Sequence, residues 1–265
     1  MKRKIIRITS TLMLIVLMLA LLPAAFALKA PQKLIITTGD LWVDYMARDV
    51  MKNIDTSGST DYAKIKAVYT WIIKNCDRSD NGSAERYSED KLTAGAAELE
   101  KEYNKLLEQD KIIIRDPFYA LPDDAKISVY DTNGVLSQWA YQMLQYRWGH
   151  CGNYAALLNV MLGLLGYECH MVDGVFINND GSKVEHKWNY VLVGGEYYWL
   201  DVRMDHATYT RTGSIDYKYF MVTDTARWKR SHEWAYEWTD VLYQYKNAQT
   251  QGLAATGFHF WDTSA

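Results

Sequence analysis

The stretch Arg147-Trp148-Gly149-His150-Cys151-Gly152-Asn153-Tyr154-Ala155 decides how the rest of the chain is read. Downstream of it, Ala155, Leu158, Met161, Leu162 and Leu165 recur at three- and four-residue intervals, which puts them on one buried helical face. Gly166 follows where a left-handed C-terminal cap is wanted. The spacing therefore predicts a helix from Cys151 to Leu165 with a thiol at its N-terminus. A thiolate, not a thiol, is the effective nucleophile, and the positive end of a helix lowers a thiol pKa. Backbone N–H groups at the same place can face a developing oxyanion. Gly149 and Gly152 beside the thiol leave room for a substrate chain. A second helix is predicted upstream, from Leu136 to about Tyr146.

Beyond this helix the period changes to two. Tyr167 to Ile177, Val184 to Val193 and Glu196 to Val202 read as strands, separated by the turns Asn179-Asp180-Gly181 and Gly194-Gly195, in an antiparallel meander. A further strand is expected around Tyr217 to Val222. If Gly194-Gly195 is a two-residue turn, Val193 faces Glu196 and Trp188 faces Asp201. His186 then shares the face of Trp188 and lies diagonal to Asp201, about 7–8 Å away between backbones, a gap that imidazole and carboxylate can bridge. A register slip of one residue would put Asp201 on the other face. A cysteine at a helix start, a strand histidine and a strand-end aspartate each have an ordinary packing role when taken singly. Taken together they are the nucleophile, base and orienter of thiol catalysis, so Cys151, His186 and Asp201 are the candidate catalytic residues.

The remaining elements are helical or irregular. Leu34-Ile35-Ile36 is strand-like, Asp40 to Ile54 has helical spacing, and Thr60 caps a helix whose core face carries Ile65, Val68, Tyr69, Ile72 and Ile73. Asp77 to Ser88 reads as an exposed loop with a turn at Asn81-Gly82. From about Ser88 a solvated helix carries a narrow stripe of Leu92, Ala96, Leu99, Tyr103 and Leu106. Lys111 to Gly134, with Pro117, Pro122 and Asn133-Gly134, reads as a long loop. The fold class is α+β, with helices packed on an antiparallel sheet.

Lys2, Arg3, Lys4 and Arg7 precede an apolar run from Leu12 to Leu22 and the small-x-small pattern Ala25-Phe26-Ala27. This is the layout of a signal peptide over residues 1–27, with an uncleaved anchor as the alternative. The mature chain is expected to have no integral membrane span and to be secreted, or extracytoplasmic at the cell surface. A net charge of −3 and a pI near 6.1 give no basic field for nucleic acid. Three cysteines, Cys76, Cys151 and Cys169, are an odd number for an exported chain, so one thiol is left over even if Cys76 and Cys169 pair. The pairs His150-Cys151 and Cys169-His170 lack zinc-site spacing, and strand neighbours point to opposite faces, so no metal is expected.

These motifs, in order, resemble the transglutaminase-like superfamily, the papain-related fold that includes transglutaminases and many microbial cysteine peptidases. Ile65 to Asn75 resembles the helix preceding the nucleophile, Gly149 to Ala155 the nucleophile turn, His186-Lys187-Trp188-Asn189 the histidine strand, and Trp199-Leu200-Asp201-Val202 the aspartate strand. Phe220 to Asp224 is similar to the strand that follows. The resemblance implies a papain-like, transglutaminase-like core over about 60–76 and 136–224 of a single domain spanning 28–265. A helical and loop insertion would occupy about 77–135 and an aromatic tail 225–265. It further implies that Cys151 is the nucleophile, His186 the base and acid, and Asp201 the orienter, with no cofactor and a peptide or protein substrate. Gln138, Trp139 and Trp148 are candidates for the side-chain oxyanion donor, and Gly149, Gly152 and Trp188 for the cleft. Asp77-Arg78, the long insertion from Ser79 to Val135 and Met204 in place of a frequent Trp depart from the family pattern. The expected chemistry is thiol-mediated acyl transfer ending in hydrolysis. A crosslinking transglutaminase, or a silent module gripping a peptide or glycan with Trp228, Trp234, Trp238, Phe260 and Trp261, are the alternatives.

Overall fold

The computed structural model describes residues 34–79, 83–114, 135–223 and 226–233; the leader expected over 1–27 lies outside them. Helix α1 (Leu41–Met51) starts where the Asp40 carboxylate accepts from the N–H groups of Trp42 and Val43 at 3.0 and 3.2 Å. Thr60 caps α2 (Asp61–Asn75) through Ala63 N–H at 3.1 Å, and Ser88 caps α3 (Glu89–Leu107) through Lys91 N–H at 3.4 Å. Each such cap satisfies an otherwise orphaned donor and is worth about 1 kcal/mol. The α3 stripe is buried at Leu92, Ala96, Leu99 and Tyr103 and half-buried at Leu106. Leu92 belongs to the main core, so this segment of the expected insertion packs into the body. Strands β1 (Ile35–Thr37) and β2 (Ile112–Ile114) pair in parallel, which corrects the expectation of irregular chain from Lys111 onward. Helices α4 (Val135–Tyr146) and α5 (Cys151–Leu164) fall where the sequence predicts them. Every residue of α5 from Gly152 to Gly163 is buried, as a helix apolar all round requires.

The second sheet orders β5 (Glu196–Leu200), β4 (Lys183–Val193), β3 (Cys169–Ile177) and β6 (His232–Glu233). In the β4–β5 hairpin Val193 pairs with Glu196 and Asn189 with Leu200, the register that a two-residue Gly194-Gly195 turn dictates. Cys169, Met171, Val191, Val193 and Leu200 face the helical core. Val172, Phe176, Trp188, Tyr190 and Trp199 face the other way, beneath Tyr219 and Trp228. Both faces are thus covered, and Asn189 locks the sheet to α5 by donating its Nδ2 to Ala155 O at 3.0 Å.

Two strand expectations fail for identifiable reasons. The strand predicted to run to Val202 ends at Leu200, because Asp201 N–H donates to Tyr219 O at 2.9 Å and its side chain caps a helix, α6 (Val202–Thr212), closed by Gly213 at φ 72°. The strand expected over Tyr217 to Val222 is a single bridge between Trp199 and Val222, because Tyr217 and Met221 take φ 51° and interrupt extended chain. Asp224 lies outside the described residues. A short helix, α7 (Ala226–Ser231), then feeds β6. The three cysteines are free, so the Cys76–Cys169 pairing does not form. No helix among the described residues is long and apolar enough to cross a membrane.

Gly174, paired with His186 across the β3–β4 ladder, has no room for a side chain. A Cβ there would sit 2.4 Å from the Trp188 ring and 2.5 Å from Glu233 O. Gly174→Ala should therefore push β6 from the sheet edge and cost about 1–3 kcal/mol. An unchanged midpoint in urea unfolding would contradict that packing.

Candidate active site

The start of α5 is held from two sides. Asp77 N–H donates to Arg147 O at 2.8 Å and Gly149 N–H to Asp77 O at 3.0 Å, so the end of α2 braces the loop before Cys151. Arg147 sits at φ 63°, a strained conformation for a residue with a side chain, and its guanidinium stacks 4.7 Å over the Trp71 ring. Asn153 Oδ1 accepts from His150 N–H at 2.9 Å while its Nδ2 donates to Trp139 O at 3.2 Å, fastening α5 to α4. Only a glycine fits at 149, since a Cβ there would lie 2.4 Å from that of Asn153.

Cys151 is half-buried at the first position of α5. Across from it, His186 Nε2 is 2.7 Å from Asp201 Oδ2, with both side chains buried. An ionised carboxylate only accepts, so the Nε2 proton belongs to His186 and Nδ1 is left for the thiol. Burial pushes the Cys151 thiol up, but the hydrogen bond and charge of His186 outweigh it, aided by the N–H groups of Lys187 and Gly152, and the net value lies below the ordinary thiol range. Burial pushes His186 down, yet the Asp201 charge and hydrogen bond, with smaller help from Cys151, raise it to about 10. Burial opposes the Asp201 anion too, and the two histidines that touch it hold its carboxyl well below the usual range. The three shifts therefore all run toward thiolate, imidazolium and carboxylate.

Residues 114–205 match the family model of the transglutaminase-like superfamily. The matched segment contains Cys151, His186 and Asp201 together with α4, α5 and the three long strands. No curated protein matches the chain.

Around Cys151, His186 and Asp201, the other expected site residues divide. Trp139 lies over Gly152, where a Cβ would be 2.7 Å from its ring, and the Lys187 ammonium stands 5.4 Å from the same ring. Lys187 also pairs with Asp173. Trp148 is half-buried, and its carbonyl accepts from Gln142 Nε2 at 3.4 Å. Gln138, by contrast, points to solvent on α4, and it is Gln142 whose Oε1 takes a bond from Asn153, at 3.4 Å. Trp188 is a correction: it is 1% exposed, its ring centroid 5.9 Å behind that of His186, and it forms no cleft wall. Trp228 is likewise 2% exposed within the aromatic cluster, which removes it from a gripping surface; Trp234, Trp238, Phe260 and Trp261 lie outside the described residues. A groove of about 570 Å³ along α2, lined by Tyr62, Lys66, Thr70, Trp71 and Lys74, contains none of the triad.

The residue that sequence reasoning missed is His232, whose Nε2 is 3.0 Å from the same Asp201 Oδ2. Its local sequence has no assignable period, and only the pairing of β6 with β3 brings it here. His186, Asp201 and His232 are the described residues whose ligand atoms converge as a metal set would. Their N···O distances of 2.7 and 3.0 Å are hydrogen bonds, shorter than the separation of about 3.3 Å between ligands on a tetrahedral zinc ion, and each carboxylate contact already carries a proton. Dialysis against EDTA should therefore leave the thermal unfolding midpoint within about 1 °C of the untreated protein, whereas a single lost ligand interaction worth about 1 kcal/mol would move it by about 2–4 °C.

Proposed function

We propose that the protein is an exported cysteine enzyme that transfers acyl groups from peptide or amide bonds, with Cys151 as nucleophile, His186 as base and acid, and Asp201 as orienter. One observation carries the reading: a half-buried thiol at a helix start, lowered in pKa by a histidine that is itself held by a buried carboxylate. The match to the transglutaminase-like superfamily supports a cysteine-enzyme fold of this kind.

The chemistry follows from where the protons sit. The Cys151 thiolate attacks the carbonyl carbon, a C–S bond forms, and the carbonyl π pair moves to oxygen, which the helix-start N–H groups face. The tetrahedral species collapses, the C–N bond breaks, and the leaving amine takes the proton from His186 Nδ1. Water, deprotonated by the now neutral His186, then attacks the thioester, and the thiolate departs with the acid formed. With water as the second nucleophile the enzyme is a peptidase or amidase. A lysine amine in place of water would make it a crosslinking transglutaminase. A silent binding module has no use for a buried ion pair aimed at a thiol. The basic and apolar leader supports a place outside the cytoplasm, secreted or at the cell surface.

Alkylation of Cys151 by iodoacetamide should follow the thiolate fraction. Because the thiol is lowered and the imidazolium persists to about pH 10, the midpoint of the rate should lie below the ordinary thiol value of 9.0. In His186→Ala the midpoint should return upward, and turnover should fall by about 100- to 10,000-fold. Incubating the mature protein with mixed extracellular proteins and a tagged primary amine separates the outcomes: cleavage supports hydrolysis, amine incorporation transglutamination. Neither product, with a thiol as slow as free cysteine, would refute the enzyme.

A further inference from the structure

We propose that His232 is a positioning residue for the Cys151 site, donating its Nε2–H to the Asp201 carboxylate and so fixing the oxygen that holds His186. The inference rests on the acyl-transfer reading above. Asp201 Oδ1 is committed to capping α6, accepting from Met204 N–H at 3.1 Å. Oδ2 accepts from His186 at 2.7 Å and from His232 at 3.0 Å. The carboxylate, 1% exposed, is therefore gripped at both oxygens and cannot turn without breaking a bond. A residue there for packing alone would need no donor aimed at the triad oxygen.

His232 is itself held rigidly. Its ring stacks on Trp228 with centroids 3.7 Å apart and planes 2° from parallel, and Trp188 and Phe176 meet it edge-on at 5.0 and 5.2 Å. Nδ1 is 2.9 Å from Ser231 Oγ, and the backbone is registered against Phe176. The titratable groups facing it are Asp201 at the β5–α6 junction, His186 on β4, and Tyr219 at 5.5 Å between ring centroids; the neighbouring Glu233 is engaged with Lys183 at the sheet edge. Burial lowers His232, so beside the His186 imidazolium it stays neutral and acts as a donor without adding a second charge. Removing that donor leaves a buried lone pair on Oδ2 unsatisfied and frees the carboxylate to turn away from His186, so the imidazolium facing Cys151 is less well held and the thiolate loses stabilisation.

The test uses the full chain and the pH dependence of Cys151 alkylation by iodoacetamide, read by peptide mass analysis. His232→Phe keeps the ring stack and loses the donor. It should move the midpoint of alkylation up by about one pH unit and so lower the rate below that midpoint about tenfold, with little change on the alkaline plateau. His232→Gln, whose amide presents an N–H near the same point, should recover most of the shift. An unmoved midpoint in a folded His232→Phe overturns the proposal. If that variant melts below the assay temperature, Ser231→Ala decides: it removes the Nδ1 partner, and an upward shift supports the assignment while an unchanged profile overturns it. A wild-type thiol no faster than free cysteine overturns the acyl-transfer reading and this inference with it. A fast thiol that is lost in His186→Ala but indifferent to His232 overturns this inference alone.

Discussion

A single buried carboxylate, Asp201, ties the fold to the chemistry. One of its oxygens starts α6 and the other receives two imidazoles. Its backbone N–H leaves the β4–β5 ladder to bond Tyr219, which ends β5 at the point where the side chain can reach His186. An isolated buried carboxylate would cost several kcal/mol in desolvation, and here that cost is offset by three donors. Secondary structure and site are consequently inseparable at this residue, since the same side chain follows a strand, caps a helix and holds His186.

The Cys151 thiol depends on a different kind of restraint. Cys151 is positioned by backbone: Asp77 clasps Arg147 and Gly149, Arg147 accepts left-handed geometry, and Asn153 folds back onto Gly149 and reaches Trp139. Strain of about 1–3 kcal/mol at a residue such as Arg147 persists only when its surroundings overdetermine it, and the stack on Trp71 with the Asp77 bonds does so. The result is a thiol at a fixed place on a rigid, wholly buried helix, opposite a histidine on the central strand of the β5-β4-β3 meander.

Much of this was legible in the chain. The period of α5 and the small residues around Cys151 gave the helix start, and the two-residue Gly194-Gly195 turn determined the register by which His186 and Asp201 meet, because turn length sets pairing in a hairpin. What escaped depended on long-range contacts or local conformation. Helix α6 leaves little trace in the sequence, because Val-Arg-Met-Asp-His-Ala-Thr-Tyr-Thr-Arg-Thr buries only Val202, Asp205 and His206 and shows no apolar stripe. The positive φ of Tyr217 and Met221 leaves no compositional trace, so an apparent strand proved to be one bridge. His232 carries no periodic signal, and a two-residue strand is too short to announce itself. Trp188, a candidate for the cleft, instead fills the space between Gly174 and the aromatic cluster with its ring.

The two other cysteines differ from Cys151 in their surroundings. Cys76 closes α2 inside the core, where burial pushes its thiol up to about 12, and Cys169 opens β3 with its thiol displaced still further by the same cause. Neither presents a sulfur anion at physiological acidity, and neither reaches the surface. Where thiols meet peroxide and small disulfides, such a molecule would react at Cys151 alone, so that its redox state would be a single variable.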